Sequence, residues 1–115
     1  MAISQRKDGD VTILEISGPI TIGQGDAAVR EAIQSALTAG AQRILLDLDG
    51  VTALDSSGVG ELMSAYTSIA NRGGLLKLAR LSPKVDSVLQ VTRLSGVLDS
   101  YATEEDALVA FAQNR

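Results

Sequence analysis

The chain has 115 residues, 45% of them hydrophobic and 21% charged, and a formal net charge of -4 at pH 7. That size and balance suit a single domain, 1–115, with a real core, and they exclude the charged, apolar-poor composition of a disordered chain. The acidic balance argues against nucleic acid and anionic lipid as partners, and the absence of Cys and His removes disulfide, thiolate and imidazole chemistry together.

The opening stretch, MAISQRKDGD, lacks the apolar core of a secretory signal, and no later run approaches the roughly 18 apolar residues of a membrane span. A cytoplasmic protein without membrane attachment is the expectation. Lys7-Asp8-Gly9-Asp10 carries turn chemistry and Val11 to Ser17 is rich in β-branched and aliphatic residues, which predicts a hairpin over Ala2 to Ser17. Beyond Gly18-Pro19, Val29, Ile33, Ala36 and Leu37 recur at helical spacing from Asp26 until Gly40. Arg43 to Leu48 (RILLDL) is the nearly continuous apolar run of a strand covered on both faces.

Val59, Leu62, Met63, Tyr66, Ile69 and Ala70 place a helix over about Ser57 to Asn71, ended by Gly73-Gly74. Leu75 to Ala79 reads as a further strand, with Lys77 and Arg80 on a solvated edge. Ser82-Pro83 gives an N-cap and a proline at N1 for a helix through Val85, Val88 and Leu89. Val97 to Ser100 is a short strand candidate, and Thr103-Glu104-Glu105-Asp106 opens a last helix with Leu108 and Phe111 on its apolar face. The order ββαβαβαβα predicts an α/β fold: a mixed, mostly parallel sheet with an antiparallel N-terminal hairpin and about four helices.

The junction of the third strand and second helix, Asp55-Ser56-Ser57-Gly58-Val59-Gly60, offers more than a cap needs. One oxygen-bearing residue satisfies an N-cap, yet three stand in a row. Two glycines follow in the first turn, each costing up to about 1 kcal/mol relative to alanine. Another surface approaching the backbone closely would explain them.

From Leu46-x-Leu48-x-x-Val51-x-x-Leu54 into Asp55-Ser56-Ser57-Gly58-x-Gly60, the segment resembles the phosphorylation segment of bacterial anti-sigma factor antagonists, the small members of the STAS family. Leu81-Ser82-Pro83-x-Val85, Leu94-x-x-Val97-Leu98 and Thr103-Glu104-Glu105-Asp106-Ala107-Leu108 are similar to that family's C-terminal half. The resemblance implies partner switching: the unphosphorylated protein binds a serine kinase that is also an anti-sigma factor, and sigma factor is released. It implies Ser56 as the phosphoacceptor, with Ser57 as the alternative, and a PP2C-type phosphatase that regenerates it. It further implies partner contacts through Asp55, Ser56, Ser57, Gly58, Val59, Gly60 and Leu62, no catalysis, no cofactor or metal, and a monomer or weak dimer. One departure stands out: the acidic residues expected after the second strand are replaced by Gly18-Pro19-Ile20-Thr21. A divergent STAS subunit of another signalling complex is therefore the alternative.

Gly23-x-Gly25-x-x-Ala28 before a helix, with Asp47 and Asp49 beyond, superficially matches a dinucleotide fingerprint, but the glycines do not directly follow a strand. A hydrolase elbow would need glycine two before Ser57, where Asp55 stands, and a base that a chain without His lacks. A receiver-like aspartate acceptor would need paired acids near the end of an early strand, where Ile16, Ser17 and Gly18 stand.

Overall fold

The computed structural model describes residues 1–113. Strands β1 (Ala2–Asp8) and β2 (Val11–Ile20) form the expected antiparallel hairpin around Gly9 and Asp10, with Gly9 taking the positive φ that its turn requires. Then come α1 (Asp26–Thr38), β3 (Arg43–Leu54), α2 (Ser56–Asn71), β4 (Leu75–Ala79), α3 (Pro83–Val91), β5 (Ser100–Tyr101) and α4 (Glu104–Gln113). The sheet runs in chain order from β1 to β5, and every pair after the hairpin is parallel. Among the described residues no helix is long and apolar enough to cross a membrane.

The sheet is covered unequally. On one face Leu14, Ile16, Ile44, Leu46 and Leu48 meet Val29 and Ile33 of α1, Leu62 and Ile69 of α2, and Val85 and Leu89 of α3 in one continuous cluster. On the other, Val11, Ile13, Leu45 and Ala79 meet Ala107 and Phe111 of α4 in a smaller cluster, with Leu75, Tyr101 and Leu108 packed at its margin. The RILLDL run is thus buried on both sides, which is why it lacks alternation.

Three expectations need correction. β2 and β3 run on to Ile20 and Leu54 instead of stopping at Ser17 and Leu48, because register shifts at Glu15/Ser17 and Gly18/Pro19 let the pair keep bonding past the turn-like Asp49-Gly50. The last strand is Ser100–Tyr101, not Val97 to Ser100: a 3₁₀ turn over Leu94–Gly96 leaves Val97 outside the sheet and sends Leu98 into the core. Lys77 is not a solvated edge residue. β5 covers the edge of β4 and α4 covers its face, so Lys77 is only 3% exposed and its Nζ is 3.3 Å from both Asp99 Oδ2 and Tyr101 Oη.

The caps behave as their chemistry dictates. Ser82 Oγ accepts from the Val85 N–H, and Thr103 Oγ1 from that of Asp106. The residues Ile20 and Leu54 pair at the carboxyl ends of β2 and β3, so the two segments that leave them emerge side by side.

Candidate functional site

Asp55 builds the corner where those segments meet. Its backbone is extended, and its Oδ1 accepts from the Gly58 N–H at 2.9 Å, which makes it the N-cap of α2. Its Oδ2 accepts from the Ile22 N–H at 3.0 Å, so one carboxylate staples the loop after β2 to the start of α2. These donors, Ile22 first and Gly58 next, hold the Asp55 carboxyl below its ordinary value. The loop is also closed on itself, since Thr21 and Gln24 exchange both backbone hydrogen bonds.

The two serines point to different surroundings. Ser56 occupies N1, where it is exposed and its hydroxyl makes no hydrogen bond to any described residue. Ser57 is half-buried and donates from Oγ to Asp26 Oδ2 at 3.2 Å, tying the first turns of α1 and α2 together. Asp26 sits below its ordinary value, chiefly because the Ala27 N–H also binds it. Farther along, Arg30 of α1 and Glu61 of α2 pair at 2.8 Å.

The glycines divide in the same way. A Cβ on Gly58 would lie 2.1 Å from the Ile20 carbonyl oxygen and 2.5 Å from Leu54 Cδ1, whereas one on Gly60 would meet nothing within 4 Å. Gly58 is therefore required by the protein's own packing and is buried, which removes it from the expected contact surface. Leu62 leaves that surface too: it is 0% exposed, a core residue that locks α2 onto the sheet. Val59 is half-buried and Gly60 is exposed.

Ile22 is the residue that sequence reasoning missed. It is 77% exposed while its backbone is pinned by Asp55, so the loop presents an apolar side chain beside the Asp55 cap. The signal was present in the chain, as an isoleucine between Thr21 and Gly23 in a segment with no apolar periodicity to place it in a core. The glycines of the nucleotide-like motif serve this loop instead: Gly25 has φ +88°, and a Cβ there would lie 2.1 Å from the Pro19 carbonyl oxygen.

The site is a preformed, solvent-facing corner with one exposed hydroxyl, an adjacent apolar side chain, and a backbone that several independent bonds hold in place. The family of STAS domains matches residues 2–107. A Thermotoga maritima protein assigned as an anti-sigma factor antagonist is 28% identical over 99 residues, which are 86% of this chain and 88% of that protein. The anti-sigma F factor antagonist of Paenibacillus polymyxa is 26% identical over 98 residues, 85% of this chain and 84% of the relative. The fold also matches the Bacillus protein SpoIIAA in two forms. The unphosphorylated form has a TM-score of 0.80 and 24% identity, and covers 97% of both chains. The phosphorylated form has a TM-score of 0.72 and 23% identity, and covers 96% of this chain and 99% of its own.

Proposed function

The chain belongs to the STAS domain family, and from that premise we propose that it is an anti-sigma factor antagonist whose Ser56 corner docks a serine kinase that is also an anti-sigma factor. Docking by the unphosphorylated form releases sigma factor, and phosphorylation of Ser56 ends the docking. The observation that carries this reading is the exposed Ser56 hydroxyl at N1 of a helix whose cap is fixed from two sides.

In the forward step Ser56 Oγ attacks the γ-phosphoryl group of ATP, ADP leaves, and the hydroxyl proton passes to a base on the kinase. Asp55 is not that base, because both of its oxygens already accept N–H donors. A PP2C-type phosphatase reverses the modification by hydrolysis. Ser57 is the poorer acceptor: its oxygen is half-buried against the Asp26 carboxylate, where a phosphate would meet a like charge.

A phosphate on Ser56 adds roughly -1.5 to -2 charges at a helix N-terminus, where the dipole favours it by about 0.3 to 1 kcal/mol. The domain therefore keeps its fold, as the likeness to both forms of SpoIIAA supports. Across an interface the same charge costs several kcal/mol against an acidic or close-packed partner, and about 1.4 kcal/mol is tenfold in affinity. The switch works by repulsion and bulk. The contact surface is Ser56, the exposed parts of Val59 and Gly60, and Ile22, with Asp55, Ser57 and Gly58 behind it as supports. Ile22 in a loop without acids before Asp26 also favours a second reading, a STAS subunit whose partner offers an apolar pocket to this corner.

The test is incubation with the candidate kinase and ATP followed by mass spectrometry of wild type and Ser56→Ala. One phosphoryl group on Ser56, absent from the alanine variant, is expected. A label that persists in the variant moves the acceptor, and an unlabelled wild type that also fails to bind the kinase overturns the reading.

A further inference from the structure

The sparsely covered face of the sheet carries a charged network that the Ser56 corner does not use. Asp47 of β3 is 4% exposed and lies beneath the first turn of α4, within hydrogen-bond reach of the Glu104 carboxyl. Arg6 of β1 pairs with Glu104 and also reaches Glu15 of β2 at 3.0 Å. Arg80, just past β4, takes the left-handed backbone (φ +55°) that favours glycine. Its guanidinium is 2.7 Å from Asp49 Oδ2 but 3.7 Å from Asp47 Oδ2.

These contacts leave the two inner carboxyls facing each other. Each arginine is shared with an outer acid, Glu15 or Asp49, so neither is devoted to the Asp47–Glu104 pair. Asp47 has one further donor, the Asp49 N–H at 3.1 Å. On the same face Lys77 is engaged by Asp99 and Tyr101, while Glu105 and Asp106 of α4 are exposed. An open cavity of about 310 Å³, bordered by Ser4, Glu15, Ser17, Asp47, Asp49 and Arg80, gives water a path to the Asp47 side of the pair.

We propose that Asp47 and Glu104 hold a single proton between them and that this proton fastens α4 to the sheet, which makes the C-terminal helix a pH-sensitive latch. With the proton in place, Asp47 donates to the Glu104 carboxylate and Arg6 balances the one remaining charge. With the proton lost to water through the cavity, two carboxylates confront each other under the first turn of α4. The directions of titration agree with this geometry. Burial pushes Asp47 up to about 6, and its hydrogen bond to Glu104 adds to that; the same bond, helped by Arg6, holds Glu104 below its ordinary value. The folded chain thus keeps the Asp47 proton more tightly than the unfolded chain, whose value is near 3.8. The contribution to stability is fully present below that value and is lost as pH rises through about 6.

The experiment is a carboxyl ¹³C NMR titration of the whole chain, paired with amide-exchange protection factors for α4 at about pH 5 and about pH 8. Asp47 is expected to titrate well above Glu104, and protection of the Ala107 to Phe111 amides to fall by about tenfold at the higher pH, one decade for each pKa unit. Asp47→Asn, which keeps a donor toward Glu104, is expected to abolish that fall. If the variant does not fold, Glu104→Gln serves, because removing the facing charge should lower the Asp47 titration and flatten the protection in the same way. An Asp47 that titrates with ordinary aspartates, a wild-type α4 equally protected at both pH values, or variants that keep the wild-type pH dependence would each overturn the latch.

Discussion

The two faces of this sheet are built on different principles. The face under α1, α2 and α3 is a continuous apolar cluster that ends in a corner held by neutral N–H donors, one capping carboxylate and a glycine packed on a carbonyl. The face under α4 has a small apolar cluster and completes its cover with four acids and two arginines. The first geometry depends little on solution conditions, because close packing does not titrate and the capping carboxylate, held below its ordinary value by its N–H donors, stays ionised near neutrality. The second is set by which carboxyl holds a proton. The proposed partner surface belongs to the first face, and the proposed pH-sensitive part of the molecule to the second.

The largest effect that would break the contrast is Gly58→Ala. Its methyl group cannot be accommodated without moving the Ile20 carbonyl or the β2–β3 ends, so urea denaturation should show a loss of roughly 2 to 3 kcal/mol and the melting temperature should fall by about 10 °C or more. Asp47→Asn acts on the other face and in the opposite direction. It should raise stability at neutral pH, and its advantage over wild type should fade as the pH falls and vanish only below 3.8, where the wild-type carboxyl is protonated in the unfolded as well as the folded chain. Melting curves at several pH values read this directly.

Ile22→Ser should leave stability within about 0.5 kcal/mol while weakening kinase binding by about tenfold in calorimetry, since an exposed side chain carries contact rather than core energy. The smallest effect is Gly60→Ala. With open space around the added methyl and a helical backbone, it should stabilise the domain by about 0.5 to 1 kcal/mol in the same urea assay that penalises Gly58→Ala. Two glycines in one helical turn would then have opposite signs.

The elements were legible in the chain wherever one physical pattern dominated. The 3.6-residue recurrence in α1 and α2, the unbroken apolar run of β3, and the Ser82-Pro83 and Thr103 caps were all present locally. What was illegible depended on partners distant in sequence. The extension of β3 to Leu54 needs the shifted register of β2, and the burial of Lys77 needs Asp99, Tyr101 and Phe111 to converge on it. At the site, the Asp55-Ser56-Ser57 run stood out as chemistry beyond a cap. Yet which serine faces solvent is decided by Asp26, 31 residues away from Ser57, and Gly58 carried no local mark that separates inner packing from outer contact, whereas Leu62 stood in the apolar recurrence that turns to the core.

The central claim is that Ser56 stands on a preformed corner where a phosphate repels a partner without reshaping its host. The most direct measurement is an amide ¹H–¹⁵N correlation spectrum of the chain before and after stoichiometric phosphorylation, with kinase affinity determined on the same two samples. Shifts confined to 21–26 and 55–62, together with a loss of affinity of about a hundredfold or more, are the predicted result. Shifts spread through the sheet, or a phosphorylated sample that binds as tightly as the unmodified one, would contradict it.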